Sequence, residues 1–292
     1  MANITAGMVK ELRERTGLGM MDCKRALTKA EGDMDKAIDD LRKASGVKAA
    51  KKASRVAAEG VVLTKIAEDG NYGVIIEVNS ETDFAARDAN FLDFAQQALE
   101  LAYSNSEADV TALLDAGLED TRTAMVQKIG ENCNVRRVER LQFTDGNAGI
   151  VESYVHSNNR IAVLISVTGG DEALARDVAM HIAAVNPLVV NAEDVPEEEI
   201  AKETEIYSAQ ARESGKPEEI IEKMISGRLR KFVAEVSLLE QPFVKDPDVT
   251  VGKLLKDADA SVVQFVRFEV GEGIEKEEID FADEVAAQVK GS

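Results

Sequence analysis

The side chains able to do chemistry are few. Two histidines, His156 and His181, and two cysteines, Cys23 and Cys133, occur in 292 residues, and the cysteines lie too far apart for a His/Cys zinc site of ordinary spacing. A Ser-His-Asp arrangement survives counting, but no Gly-x-Ser-x-Gly elbow presents a serine. A phosphate-binding loop needs glycines followed by Lys and Ser or Thr at a helix start, and the chain has no such run. Gly271-Glu272-Gly273 lacks the third glycine of a dinucleotide fingerprint, and its carboxylate would repel a pyrophosphate, so it reads as a turn. The chain reads as catalytically bare, with no enzyme activity, no cofactor and no metal of its own.

What remains unusual is Thr82-Asp83-Phe84, where a carboxylate adjoins a large aromatic ring in a polar stretch. On spacing alone this reads as local structure, Thr82 or Asp83 capping a helix and Phe84 stapling it to Phe91 or to the sheet. Met20 and Met21 follow a Gly-Leu-Gly turn, where flexible thioethers either fill a small core or face a partner helix; on spacing alone they read as core. His156 reads as a partly exposed residue at a strand end. His181 reads as a hydrogen-bonded core residue.

These residues need a scaffold, and 45% hydrophobic residues can bury a core of ordinary size. A formal charge of -19 repels phosphate backbones and anionic membranes, so nucleic acid is not expected as a partner. The charge is uneven. Residues 1–55 hold 13 basic and 8 acidic side chains, while the remainder holds 22 and 46, which makes the N-terminal segment a separate electrostatic body. Two cysteines fit a reducing compartment. The N-terminus has no apolar run after its basic residues, so no secretory signal is expected, and stretches such as Ile161 to Val167 are too short to span a bilayer. The expected location is the cytoplasm.

Residues 5–46 read as three short helices, with Val9 and Leu12, then Cys23, Ala26 and Leu27, then Ala37, Ile38 and Leu41 facing inward. Asp33 is the expected N-cap of the third and Gly46 its expected stop. The stretch VKAAKKASRVAAEG alternates basic residues with alanines and reads as a solvated linker; contact with ribosomal RNA is the alternative.

An internal repeat follows. Gly60-Val61-Val62 recurs as Gly149-Ile150-Val151, and Val74, Ile76 and Val78 recur as Val163, Ile165 and Val167, at a constant offset of 89. Each copy reads as a β-hairpin leading into a helix. There Phe91, Phe94, Ala95, Ala98 and Leu99 recur as Ala175, Val178, Ala179, Ile182 and Ala183, and the offset drops to 84. The first copy therefore carries about five extra residues within Asn79 to Asp88, and an enlarged loop on a rigid scaffold is a common seat of function. A third strand is expected in each copy, Val135 to Phe143 and Ser261 to Val270. From Pro196 a helical hairpin is expected to project, with Ile221, Ile225, Leu229, Phe232 and Val236 as one apolar seam and Ser214-Gly215-Lys216-Pro217 as its turn. Asp280 to Lys290 reads as a terminal helix.

Several stretches, in order along nearly the whole chain, closely resemble the elongation factor Ts family: ITAGMVKELRERTGLGMMDCKRAL, KAAKKASRVAAEG, EVNSETDFAARDANF, HIAA, SGKP, SLLEQPFV and RFEVGEGIEKEEIDFADEVAAQ. The resemblance implies an α+β fold: a ubiquitin-associated-like three-helix module at 1–47, a linker at 48–59, and a core subdomain at 60–145. A second core subdomain would be built from 146–195 and 241–276, with a helical hairpin at 196–240 that could pair two complexes, and a C-terminal module at 277–292. The family's Thr-Asp-Phe-Val stands here as Thr82-Asp83-Phe84-Ala85, with apolar volume lost beside an unchanged Asp-Phe pair.

By the same resemblance the partner is elongation factor Tu, GDP-bound or nucleotide-free. Arg13, Met20, Met21, Lys24, Ile129, Gly130 and His156 are implied contacts to its nucleotide-binding domain, together with Thr82, Asp83 and Phe84. The implied mechanism is that Phe84 wedges between helices of the partner while Asp83 perturbs the surroundings of its magnesium, which weakens nucleotide binding without making or breaking a bond. This reverses the local reading of Thr82 to Phe84. Three classes stay in view: exchange factor, passive interaction scaffold, and an enzyme working in an acidic cleft.

Overall fold

A computed structural model describes residues 4–143, 149–213 and 217–275. The N-terminal module is α1 (Ala6–Thr16), α2 (Met20–Lys29) and α3 (Met34–Lys52). Thr5 caps α1 by accepting from the Met8 N–H, and Gly17, at φ 68°, closes it in the left-handed conformation that a glycine enters without a Cβ penalty. Asp33 caps α3 through the Lys36 N–H, as expected. Leu12, Cys23, Leu27 and Ala37 form the module's small core.

Helix α3 does not stop at Gly46, a correction to the expected boundary. An interior glycine costs about 1 kcal/mol against alanine, but the Ala and Lys residues that follow are strong helix formers. Ala49 is buried in the next core, so packing from outside the module supports the extension.

The repeat builds two three-stranded antiparallel sheets. The first copy is β1 (Glu59–Ile66), β2 (Tyr72–Ser80), α4 (Ala89–Ser104), α5 (Val110–Leu113), a wide π-type turn at 114–118, α6 (Glu119–Ile129) and β3 (Cys133–Gln142). The second begins with β4 (Ile150–Val155), β5 (Ile161–Thr168) and α7 (Glu172–Val185). The projecting hairpin is α8 (Glu197–Glu213) and α9 (Glu218–Val236). A small β6 (Pro242–Phe243) and β7 (Asp246–Thr250) ribbon and α10 (Val251–Asp257) lead into β8 (Ser261–Glu269). Strand orders are β1-β2-β3 and β4-β5-β8, so the expected third strands are in place.

Both central strands are buried on both faces. Val74, Ile76 and Val78 face Phe91 and Phe94, Val163, Ile165 and Val167 face Val178 and Ile182, and Ile75, Val62, Val151 and Leu164 form a core between the sheets. The result is four layers, helix–sheet–sheet–helix. The register carries a bulge between Glu77 and Val78 in one copy and between Ser166 and Val167 in the other, positions again 89 apart. The Thr64 hydroxyl donates to that of its counterpart Ser153, at 3.1 Å. Gly60, at φ 147°, permits the close pairing of β1 with β2, since a Cβ there would stand 2.0 Å from the Val78 carbonyl.

Along the helical hairpin Ile221 is buried, and Ile225, Leu229, Phe232 and Val236 are half-buried, as the expected seam requires. Its expected turn at 214–216 and the expected terminal helix at 280–290 lie outside the described residues. No helix among the described residues is long and apolar enough to cross a membrane.

His181, fully buried on α7, is a satisfied core residue. Gln241 donates its amide N–H to the Glu235 carbonyl, which turns its oxygen towards His181 Nε2 at 2.9 Å, and the Val244 N–H donates to Nδ1 at 3.2 Å. The ring is therefore neutral with its proton on Nε2. Burial holds its pKa below the usual 6.5, against the opposing pull of the Gln241 hydrogen bond. As pH falls the unfolded chain takes the proton first, so this contribution to stability is complete above about 6.5 and is lost below it, towards the lower folded value. Denaturant midpoints should therefore fall between pH 7.5 and 5.5 in the parent and change less in His181→Gln. An equal fall in both would remove His181 as the cause.

Candidate functional site

The two repeats also differ where strand gives way to helix. Residues 169–171 join β5 to α7, whereas residues 81–88 join β2 to α4, the five-residue excess that the changing offset implied. The longer connection is not slack. The Ser80 hydroxyl donates to the Thr82 carbonyl, and the Ala85 N–H donates to the Thr82 hydroxyl at 3.2 Å, starting a single 3₁₀ turn over Ala85–Arg87. Asp88 then caps α4 through the Asn90 N–H.

This turn aims Phe84 outward. Phe84 is 81% exposed, the most exposed large hydrophobic residue among those described, and it staples to neither Phe91 nor the sheet. Asp83 caps no helix; it pairs with Arg87 at 2.9 Å, one turn on. The local reading thus holds only for Thr82, whose hydroxyl caps the 3₁₀ turn. The neighbouring Ala85 is buried, and its small side chain fits beneath the turn.

Around the loop lies a shallow depression lined by Glu59, Thr82, Asp83, Phe84, Arg87 and Arg160, with Glu59 and Arg160 ion-paired across the two copies. Arg160 belongs to the β4–β5 turn, in which exposed His156 donates its N–H to the Ile161 carbonyl and meets the Tyr154 hydroxyl through Nδ1 at 3.2 Å. His156 thus lies in the neighbouring turn and not in the depression itself.

Ile129 and Gly130 end α6, with Gly130 in the left-handed conformation. The Thr82 N–H and hydroxyl donate to Glu131, next in the chain, at 2.9 and 2.7 Å, so the end of α6 borders the loop directly. The N-terminal module reaches the same end of the body. A Cβ on Gly17 would stand 2.9 Å from Lys128 Cε, which places the α1–α2 turn against α6. From that turn Met20 and Met21 project 59% and 65% exposed, with Arg13 and Lys24 also exposed, while Cys23, Ala26 and Leu27 take the inward face. The reading of the two methionines as core is thereby corrected. At the start of a helix that already buries three residues, they fall on its outer side.

Behind the loop, Glu77 is completely buried on β2. Its carboxylate accepts from Arg137 Nε at 2.6 Å, Arg136 Nη1 at 3.1 Å, Asn79 at 3.0 Å and the Gly271 N–H at 2.8 Å. Burial alone would raise its pKa, but these donors outweigh it and hold the carboxyl below the usual range. Arg137 also stacks on Phe268, 4.0 Å from the ring centre. Both cysteines are buried, and burial pushes the Cys133 thiol up to about 12, so it is not a nucleophile at neutral pH. Among the described residues no three His, Cys, Asp or Glu converge as metal ligands.

Glu131, Asn132 and Arg160 border the loop without having been singled out in the sequence. Thr82 and Glu131 are 49 positions apart, and only the glycine ending α6 hinted that a turn stood there.

The family described as Elongation factor TS matches residues 81–272. The chain is 63% identical over 291 residues to Elongation factor Ts of Hahella chejuensis, covering 100% of both chains. It is 63% identical over 290 residues to that of Teredinibacter turnerae, covering 99% of this chain and 98% of the relative. Against that of Pseudomonas aeruginosa it is 55% identical over 291 residues, covering 99% and 98%.

Proposed function

This chain belongs to the elongation factor Ts family and is therefore a translation elongation factor, and we propose that it acts as the guanine-nucleotide exchange factor of elongation factor Tu. The observation that carries the proposal is Phe84, a large ring left 81% in water at the tip of a hydrogen-bonded loop. A large aromatic side chain held out on a hydrogen-bonded loop is suited to anchor a partner, and aromatic residues that become fully desolvated dominate binding energy at interfaces. Phe84 enters between helices of elongation factor Tu and shifts the elements that cradle its phosphates. Met20, Met21, Arg13 and Lys24 on the module, with Ile129, Gly130 and His156, complete the contact surface. The basic module meets an acidic partner surface, while the acidic remainder keeps the factor soluble.

Asp83 acts on the surroundings of the partner's magnesium ion. Magnesium neutralises the diphosphate, so disturbing the groups that orient its ligands loosens GDP. Incoming GTP then expels the factor, since coupling between two binding events is reciprocal. The test of the whole reading is release of a fluorescent GDP analogue from elongation factor Tu. Catalytic amounts of this chain should accelerate it, and binding without acceleration would leave the passive scaffold in its place. For Asp83→Asn, the loss of stimulation should deepen as magnesium is raised from micromolar to millimolar. A loss independent of magnesium would reduce Asp83 to its pairing with Arg87.

A further inference from the structure

Three parts of the chain meet at the turn after α6. The Thr82 N–H and hydroxyl donate to Glu131 from the loop side, and in the opposite direction the Asn132 N–H donates to Glu81 at 2.5 Å. From the module side, Asn132 donates its side-chain N–H to the Arg55 carbonyl at 2.8 Å, Lys52 donates to the Gly130 carbonyl, and Arg55 pairs with Glu81 at 3.5 Å. Loop and turn thus exchange carboxylates crosswise, and the same turn grips the end of α3.

We propose that Glu131 is a positioning residue for nucleotide exchange, fixing the direction in which Phe84 leaves the surface and its distance from the N-terminal module; this rests on the reading of Phe84 as the wedge. Phe84 is 81% exposed and makes little packing of its own, so its direction is set by its backbone. Thr82 lies two residues before it. Glu131 takes both of the donors that Thr82 has, and charge-assisted hydrogen bonds of this kind are shorter and stronger than neutral ones. The Thr82 hydroxyl donates to Glu131 while accepting from the Ala85 N–H, so the carboxylate also supports the 3₁₀ turn beneath the ring. Released from Glu131, the loop would have to be ordered during docking, and that conformational entropy would be lost at the step where the wedge enters.

The experiment measures GDP release from elongation factor Tu over a range of factor concentrations, with melting temperatures alongside. Glu131→Gln, which turns an amide N–H towards a donor, should lower the maximal release rate about tenfold, with a much smaller change in the half-saturating concentration and in melting temperature. Thr82→Val, which removes the hydroxyl donor, should act in the same direction. In a Phe84→Ala background Glu131→Gln should have no further effect. The proposal is overturned if Glu131→Gln matches the parent while Phe84→Ala is impaired, or if Glu131→Gln costs the same factor with and without the ring. Parental activity in Phe84→Ala alone would sink the wedge reading, and this proposal with it.

Discussion

In Phe84→Ala the maximal rate at which the factor drives GDP from elongation factor Tu falls about 30-fold or more, while its melting temperature stays within about 2 °C of the parent. The two halves of this result have one cause. A ring 81% exposed contributes little to the fold, so its truncation leaves no cavity. Aromatic side chains that become buried at the centre of an interface cost about 2 kcal/mol or more when truncated, and 1.36 kcal/mol is tenfold in a rate. Release measured at saturating factor separates entry of the wedge from simple loss of affinity. Undiminished release would refute the wedge, and a large drop in melting temperature would mean that the ring packs where the structure leaves it open.

The second large effect lies away from the partner surface. Glu77→Ala should destabilise the chain by about 3–5 kcal/mol, because it leaves two arginines and a backbone N–H facing a buried void where a carboxylate stood. Against a total stability of about 5–15 kcal/mol this is a large share. Since the folded carboxyl titrates below its ordinary value of 4.5, its contribution is complete above that pH and is lost as pH falls towards the lower folded value. Urea unfolding at pH 7 measures the effect, and a cost under about 1 kcal/mol would show that water takes over the arginines without penalty. Gly271 belongs to the same node. A Cβ on it would stand 2.3 Å from the Ala58 carbonyl, so β2, β3, the linker and the end of β8 converge there.

Much of this architecture was legible in the sequence for a specific reason. Val74, Ile76 and Val78 and their counterparts 89 residues on mark strands that face helices, and that alternation fixes which side of each sheet is covered. The seam from Ile221 to Val236 likewise had one periodic solution. Where periodicity was short, little could be read. Helix α5 has four residues, the ribbon of β6 and β7 is shorter than two ordinary strands, and Gly117, at φ 106°, interrupts the run from 110 to 129. The end of α3 was misjudged because the support for Lys48 to Lys52 comes from the first core, through Ala49.

The site was less legible than the fold. Spacing favoured a stapled Phe84 and buried methionines, and only the family resemblance pointed outward for both. Local patterns count neighbours along the chain, and what frees Phe84 is that Thr82, not the ring, carries the capping contacts. Glu131 and Arg160 come from distant segments, and no spacing rule links them to the loop.

The shorter connection of the second repeat has a consequence for valency. Gly169 and Gly170 both take positive φ, and a Cβ would strike the Asp259 carbonyl from Gly169 and the Leu174 side chain from Gly170, so that corner is filled by the chain itself and has no room for an aromatic spike. Among the described residues, a body assembled from two near-copies therefore carries its exposed aromatic spike at one corner only, that of the first copy.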